Sequence, residues 1–164
     1  MERSRTVGRR ERAGFFEDGY SITELLVVLA LAAMFITFVG PAFSESYRAY
    51  KVRSAALELT DTLRAARQVA VSSRVPASVT IDTSTGSYTW TDSKGRVRSM
   101  TVPSPVQFVT ASPSTITFAT NGTVSTGVAT IALKNVINAQ TADQWTLDLN
   151  TVGKITTTKT TVTP

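Results

Sequence analysis

The sequence predicts an α+β protein: a long N-terminal helix, apolar in its first half, whose second half packs on an antiparallel β-sheet domain. Three observations predict it. The chain carries no charge from Leu25 to Phe43. Val52, Ala56, Leu59, Leu63, Ala66 and Ala70 then recur at alternating steps of 4 and 3, which is one stripe along a helix. From Val75 the period drops to two, with turn residues between short apolar alternations.

The uncharged run comes first. At about 1.5 Å rise per residue it covers close to the roughly 30 Å hydrocarbon core of a bilayer. Gly40-Pro41 falls near its end, where a proline removes a helical hydrogen bond and either ends or kinks the helix. The amphipathic continuation, 44–74, keeps Arg53, Glu58, Asp61, Arg64 and Arg67 off the apolar stripe, and Asp61 and Arg64 stand three apart, close enough for a weak pair. A helix from Tyr20 to Ser73 would be roughly 80 Å long. No small domain buries that length, so the first half needs lipid or other chains around it.

The β-rich part, 75–164, is read from alternation. Val79 and Ile81, Tyr88 and Trp90, and Val97 are separated by the turn sequences 83–86 and 93–95. Ile116 and Phe118 lead into Asn121-Gly122, a strong hairpin signal, with Ile131 and Leu133 as the expected returning strand. Trp145, Leu147 and Leu149 alternate cleanly before Gly153 turns the chain into Ile155. Residues 156–163, TTTKTTVT, suit an edge strand or a frayed tail; with one aliphatic residue to bury, the tail is the expectation.

Composition excludes much chemistry. The 164 residues include no cysteine and no histidine, so disulfides, thiol catalysis and the commonest general base and metal ligand are absent. Asp82, Asp92, Asp143 and Asp148 are scattered at turns and strand flanks without the spacing of an acid/base pair or a metal site. No catalytic residue, metal or cofactor is expected. The net charge is +5. Residues 1–19 contribute five arginines against four acids, and arginines ahead of an apolar helix favour a cytoplasmic N-terminus. Arg48, Lys51 and Arg53 on the far side weaken that argument.

Glu24 is the awkward residue. A carboxylate inside a membrane helix costs roughly 2.5–3.5 kcal/mol at the helix centre, and no basic side chain follows until Arg48. If the chain were cut after Gly19, Tyr20 would carry a new ammonium group one helical turn from Glu24, on its own chain or on a neighbour. A secretory signal cut near Gly40-Pro41-Ala42 places Pro41 badly and leaves Glu24 unexplained, whereas nothing forbids a plain uncleaved anchor. The run Gly19, Tyr20, Ser21, Ile22, Thr23, Glu24, Leu25, Leu26 resembles the type IV prepilin signature: a basic leader ending in glycine, an aromatic residue, then a glutamate opening an apolar helix. Tyr20 stands where phenylalanine is usual, and Thr23 where an aliphatic is usual. The resemblance implies cleavage by prepilin peptidase after Gly19, N-methylation of Tyr20, an assembly role for Glu24, and a hinge at Gly40 and Pro41. It also implies a type IV pilin-like fold with 1–19 as leader and 20–43 as transmembrane and assembly helix.

Further along, Leu63-Arg64-Ala65-Ala66-Arg67-Gln68-Val69-Ala70 followed by Val79-Thr80-Ile81 resembles the GspH/FimT pseudopilins, as do Ile116-Thr117-Phe118 with Gly122, and Trp145 to Ile155. That resemblance implies a non-catalytic minor subunit, assembled into the type II secretion pseudopilus for protein export. The alternative is a minor type IV pilin acting in pilus biogenesis or in DNA binding and uptake. Expected partners are other pseudopilins or pilins through the N-terminal helix, the prepilin peptidase, the inner-membrane assembly platform and membrane lipid, with DNA the lesser expectation. The expected location is the inner membrane, single-pass, with the globular domain periplasmic. DNA-binding members carry G-R-x-R in the final hairpin, two arginines on one strand face. Here that position reads Gly153-Lys154-Ile155-Thr156, while a literal copy, Gly95-Arg96-Val97-Arg98, sits in an earlier hairpin. Lys94, Arg96 and Arg98 are therefore the candidate DNA contacts.

Overall fold

The computed structural model describes residues 21–92 and 94–164, the side chains of 38–42 excepted. The chain divides into two compact units between Val39 and Gly40. One helix, α1, runs Ile22–Ser73. Gly40 and Pro41 lie within it at the start of the second unit; Gly19 and Tyr20 lie outside the described residues.

Both ends of α1 have local causes. Ser21 caps its start: its carbonyl accepts from Leu25 N at 3.1 Å and its hydroxyl from Thr23 N at 3.4 Å. At the other end Arg74 takes a left-handed conformation, φ 55°, and Pro76 then prevents further helix. The amphipathic half buries the expected stripe completely: Val52, Ala56, Leu59, Leu63, Ala66 and Ala70 have no exposed surface.

Eight strands follow: β1 Ala77–Asp82, β2 Ser87–Thr91, β3 Val97–Thr101, β4 Gln107–Ser112, β5 Thr115–Phe118, β6 Ala129–Val136, β7 Ala142–Leu149 and β8 Ile155–Val162. They form two antiparallel sheets, ordered β3-β2-β1-β5 and β4-β6-β7-β8, where the sequence suggested one sheet domain. Side chains alternate as the pleat demands. Ala77, Val79 and Ile81 of β1 point inward, as do Ile116 and Phe118 of β5, Ile131 and Leu133 of β6, and Leu147 and Leu149 of β7. All of them join the helix stripe in one core. Tyr88 of β2 completes it, and burial pushes its phenol up to about 12, with Thr62 and Glu58 beside the hydroxyl.

Three sequence expectations change here. Asn121-Gly122 does reverse the chain, bringing Phe118 against Val124, but Ile131 and Leu133 do not return along β5. They belong to β6 in the other sheet, paired with β4 and β7, because Gly122 and Gly127 both have positive φ and turn the chain twice before β6 begins. The threonine-rich C-terminal segment is not a tail. Its residues pair along the whole of β7, from Leu149 against Ile155 to Ala142 against Val162; backbone ladder bonds and β-branched side chains hold an edge strand that has little to bury. Finally, β4 was not visible in the sequence, where prolines 103, 105 and 113 bracket it and Phe108 is its one large buried side chain.

Among the described residues no helix is long and apolar enough to cross a membrane. The expected span, Leu25–Phe43, includes the side chains at 38–42 that lie outside this description.

Replacing Leu59 by Ala removes a side chain with no exposed surface from the shared core, and should cost about 2–5 kcal/mol. Urea unfolding followed by tryptophan fluorescence checks this.

Candidate functional site

The first candidate is the N-terminal half of α1. From Ile22 to Ile36 every large apolar side chain is more than half exposed, on all sides of the helix. A helix apolar all round belongs in an apolar surrounding, and each such side chain gains roughly 1.5–3 kcal/mol on full burial. Glu24 lies in the first turn, at the third helical position after the Ser21 cap. There the positive end of the helix dipole stabilises a carboxylate by about 0.3–1 kcal/mol. That falls short of the cost of taking the group into a membrane, so a cation is still required when the segment is buried. Among the described residues Glu24 has no ion-pair partner.

The second candidate is the basic hairpin. Asp92 directly follows β2 and gathers the turn around itself: Oδ1 accepts from Lys94 N at 2.9 Å and Arg96 N at 3.0 Å. Its Oδ2 accepts from Arg96 Nε at 3.0 Å and Arg98 Nε at 3.1 Å. The backbone N–H of Arg96 is the chief cause holding this carboxyl well below the usual range. Arg96 and Arg98 are thus brought together, as their spacing predicted, but on one internal carboxylate. Lys94 adds only its backbone N–H to that arrangement.

The position matching the DNA motif lies elsewhere, in a cleft of about 430 Å³ lined by Arg64, Arg67, Gln68, Val71, Gly153 and Lys154 among others. Arg64 pairs with Asp61 at 3.3 Å. The sequence offered Arg67, with Arg64 and Arg74, as an extension of the basic patch; in the structure it holds the head together instead. Its Nε donates to Gly122 O at 2.9 Å and its Nη2 to Val152 O at 3.2 Å. One guanidinium thus joins α1 to the turn after β5 and to the turn between β7 and β8. Gly153, at φ +76°, lies so close that a Cβ there would sit 2.4 Å from Gly122 O and 2.8 Å from Arg67 Nε. The three short motifs quoted above, A-R-x-x-A and the two glycine turns, meet at this point.

The opposite end of the amphipathic half is also tied. Asn135 Nδ2 donates to Arg48 O at 2.8 Å, Arg48 Nη1 to Ile137 O at 3.3 Å, and Lys51 Nζ to Ser104 O at 2.9 Å. Searches of protein-family models, of characterised proteins and of solved structures find no match to this chain.

Gly153→Ala should destabilise the head by about 2–5 kcal/mol, through left-handed strain plus collision with Gly122. Arg67→Ala, which leaves both carbonyls without their charged donor, should cost about 1–3 kcal/mol. Thermal unfolding measured by circular dichroism ranks the two.

Acid sensitivity follows from the β1–β2 turn. Asp82 accepts from the hydroxyl and N–H of Ser84 and from Thr85 N, and the Ser84 and Thr85 bonds lower its pKa to about 2. The unfolded carboxyl titrates near 3.9, so this stabilisation is whole above that pH and lost as pH falls toward 2. Asp82→Asn should flatten that part of the acid unfolding curve and leave the curve unchanged in shape at neutral pH.

Proposed function

We propose that the chain is a minor, non-catalytic subunit of a type IV pilin-like fibre, a pseudopilin of the type II secretion kind. In this reading the prepilin peptidase cuts after Gly19 and methylates Tyr20. The apolar half of α1 waits in the inner membrane, and the subunit then enters a periplasmic pseudopilus through that same half. The observation that carries the reading is a half-helix that is exposed and apolar on every side, opened by a single glutamate. Its second half is, by contrast, packed into an α+β head. Such a helix is suited to exchange lipid for neighbouring helices, since both are apolar. Glu24 supplies the one polar requirement: in a low-dielectric bundle it pairs with the N-terminal amine of an adjacent subunit. Gly40-Pro41 lets the membrane half reorient relative to the head during that exchange.

The minor type IV pilin that takes up DNA is the second reading. The cleft beside Lys154 favours it; the closure of Arg96 and Arg98 on Asp92 weighs against it, because a phosphate backbone must displace that carboxylate. Three charges are also few for binding at physiological salt.

Intact-mass measurement of the membrane-extracted protein should show a chain beginning at methylated Tyr20; a chain that begins at Met1 refutes the reading. Gly19→Leu should keep the leader attached. Glu24→Gln should still insert in the membrane but enter fibres several-fold less, as scored by sheared-fibre immunoblots, and normal incorporation would refute the pairing.

A further inference from the structure

The face of α1 turned away from the head's core is not uniformly polar. Phe43, Tyr47, Tyr50 and Leu57 lie on it and are 71%, 52%, 65% and 48% exposed. With Ser54 and Asp61 they mark positions 43, 47, 50, 54, 57 and 61, steps that alternate 4 and 3. This 3.5-residue repeat is the one that lets two helices wind left-handedly around each other. The stripe on the other side, Val52, Ala56, Leu59 and Leu63, is completely buried. The amphipathic half therefore has two seams about half a turn apart, and the head covers one.

Charges beside the open seam select its occupant. In heptad terms Tyr47, Ser54 and Asp61 are a, while Phe43, Tyr50 and Leu57 are d. Arg53 is then g, and Lys51 and Glu58 are e. In a parallel, in-register pair a g residue faces the following e residue of the other helix. Arg53 therefore meets Glu58 of a second copy, and the two-fold axis makes this contact twice. An antiparallel pair sets g against g and e against e, so Arg53 no longer meets Glu58, and the opposite-sign contact left to it is Lys51 with Glu58. Among the described residues Arg53 has no ion-pair partner. Lys51 is already turned aside, over the Tyr47 ring at 4.9 Å and onto Ser104 O at 2.9 Å. Asp61, the one charge in the seam, has Arg64 at 3.3 Å to offset it.

We propose that this seam is a homotypic docking surface: a second copy of the chain lays its own Phe43–Leu57 face against it, parallel and in register, with Arg53–Glu58 pairs across the axis. The proposal goes beyond the fibre reading and stands whether or not Gly19 is a cleavage site, since mature mass and pairing are measured separately.

The chain has no cysteine, so single cysteines report proximity without background. The full chain, purified in detergent, would carry Ser54→Cys in the seam or Ser99→Cys on exposed β3, and be oxidised. Ser54→Cys should give at least about tenfold more disulfide dimer than Ser99→Cys, as packed a positions approach closely. In the Ser54→Cys background, Arg53→Glu or Glu58→Arg should each lower the dimer several-fold, and the two together should restore it. Glu58 also stands beside the Tyr88 hydroxyl; the double variant shares that loss, so restoration isolates the pairing across the axis. Equal cross-linking at the two cysteines overturns the proposal. So does cross-linking at Ser54 that ignores the charge changes, the result expected of apolar clustering or of a seam that lies in detergent or lipid.

Discussion

The second half of α1 is a wall shared by two sheets, and the rest of the head depends on how thin that wall is. Ala55, Ala56, Ala66 and Ala70 place almost no side-chain bulk between the helix and the strands, so both sheets reach the helix within one core. Val52, Leu59 and Leu63 supply the larger apolar area, roughly 1.5–3 kcal/mol each for full burial. Burial of this kind has no direction, however, and would tolerate sliding or rotation of the helix. Polar ties remove that freedom: Arg67 at one end, and Asn135, Arg48 and Lys51 at the other, all bonding to backbone carbonyls. Four of the carbonyls, on Gly122, Val152, Ile137 and Ser104, lie in different connections between strands, and the fifth, on Arg48, is the helix's own and accepts from Asn135 of β6, so the ties fix the helix against both sheets at once.

Those ties also change what the basic composition means. A net charge of +5 suggests a polyanion surface, but many of the cations are occupied inside the head. Arg67 holds two turns, Arg48 and Lys51 hold loop carbonyls, and Arg96 and Arg98 share the Asp92 carboxylate. The geometry favours cations used for position over cations offered to phosphate.

The helix has a different solvent problem along each part of its length. Its first part is apolar on every side, and among the described residues its large apolar side chains enter no core. Its second part has one satisfied stripe and one open seam. The two unsatisfied surfaces call for different partners, since the first accepts any apolar surrounding while the seam carries charges that discriminate by orientation. The proposed assembly through the first and the proposed pairing through the second are thus separable by experiment.

Much of this was legible in the sequence, for a reason that lies in periodicity. The stripe from Val52 to Ala70, the strands around Val79, Tyr88 and Trp145, and the turns at Gly86, Gly95 and Gly153 follow from spacing and from backbone freedom, which are local. The Glu24 problem was likewise visible, as a charge placed against an apolar run. The sequence did not determine which strand pairs with which. Ile131 read as the partner of Ile116 because they flank Asn121-Gly122, but a second glycine at 127 redirects the chain into the other sheet. The threonine-rich end read as a tail because it has little to bury, while an edge strand is held by hydrogen bonds to β7, which no composition reveals. Arg67 read as one more cation off the stripe; only the folded chain brings Gly122 and Val152 to its guanidinium. Local spacing decides what each segment is, and long-range closure decides what it touches, because a hydrogen bond between residues 55 or 85 positions apart leaves no trace in the residues between them.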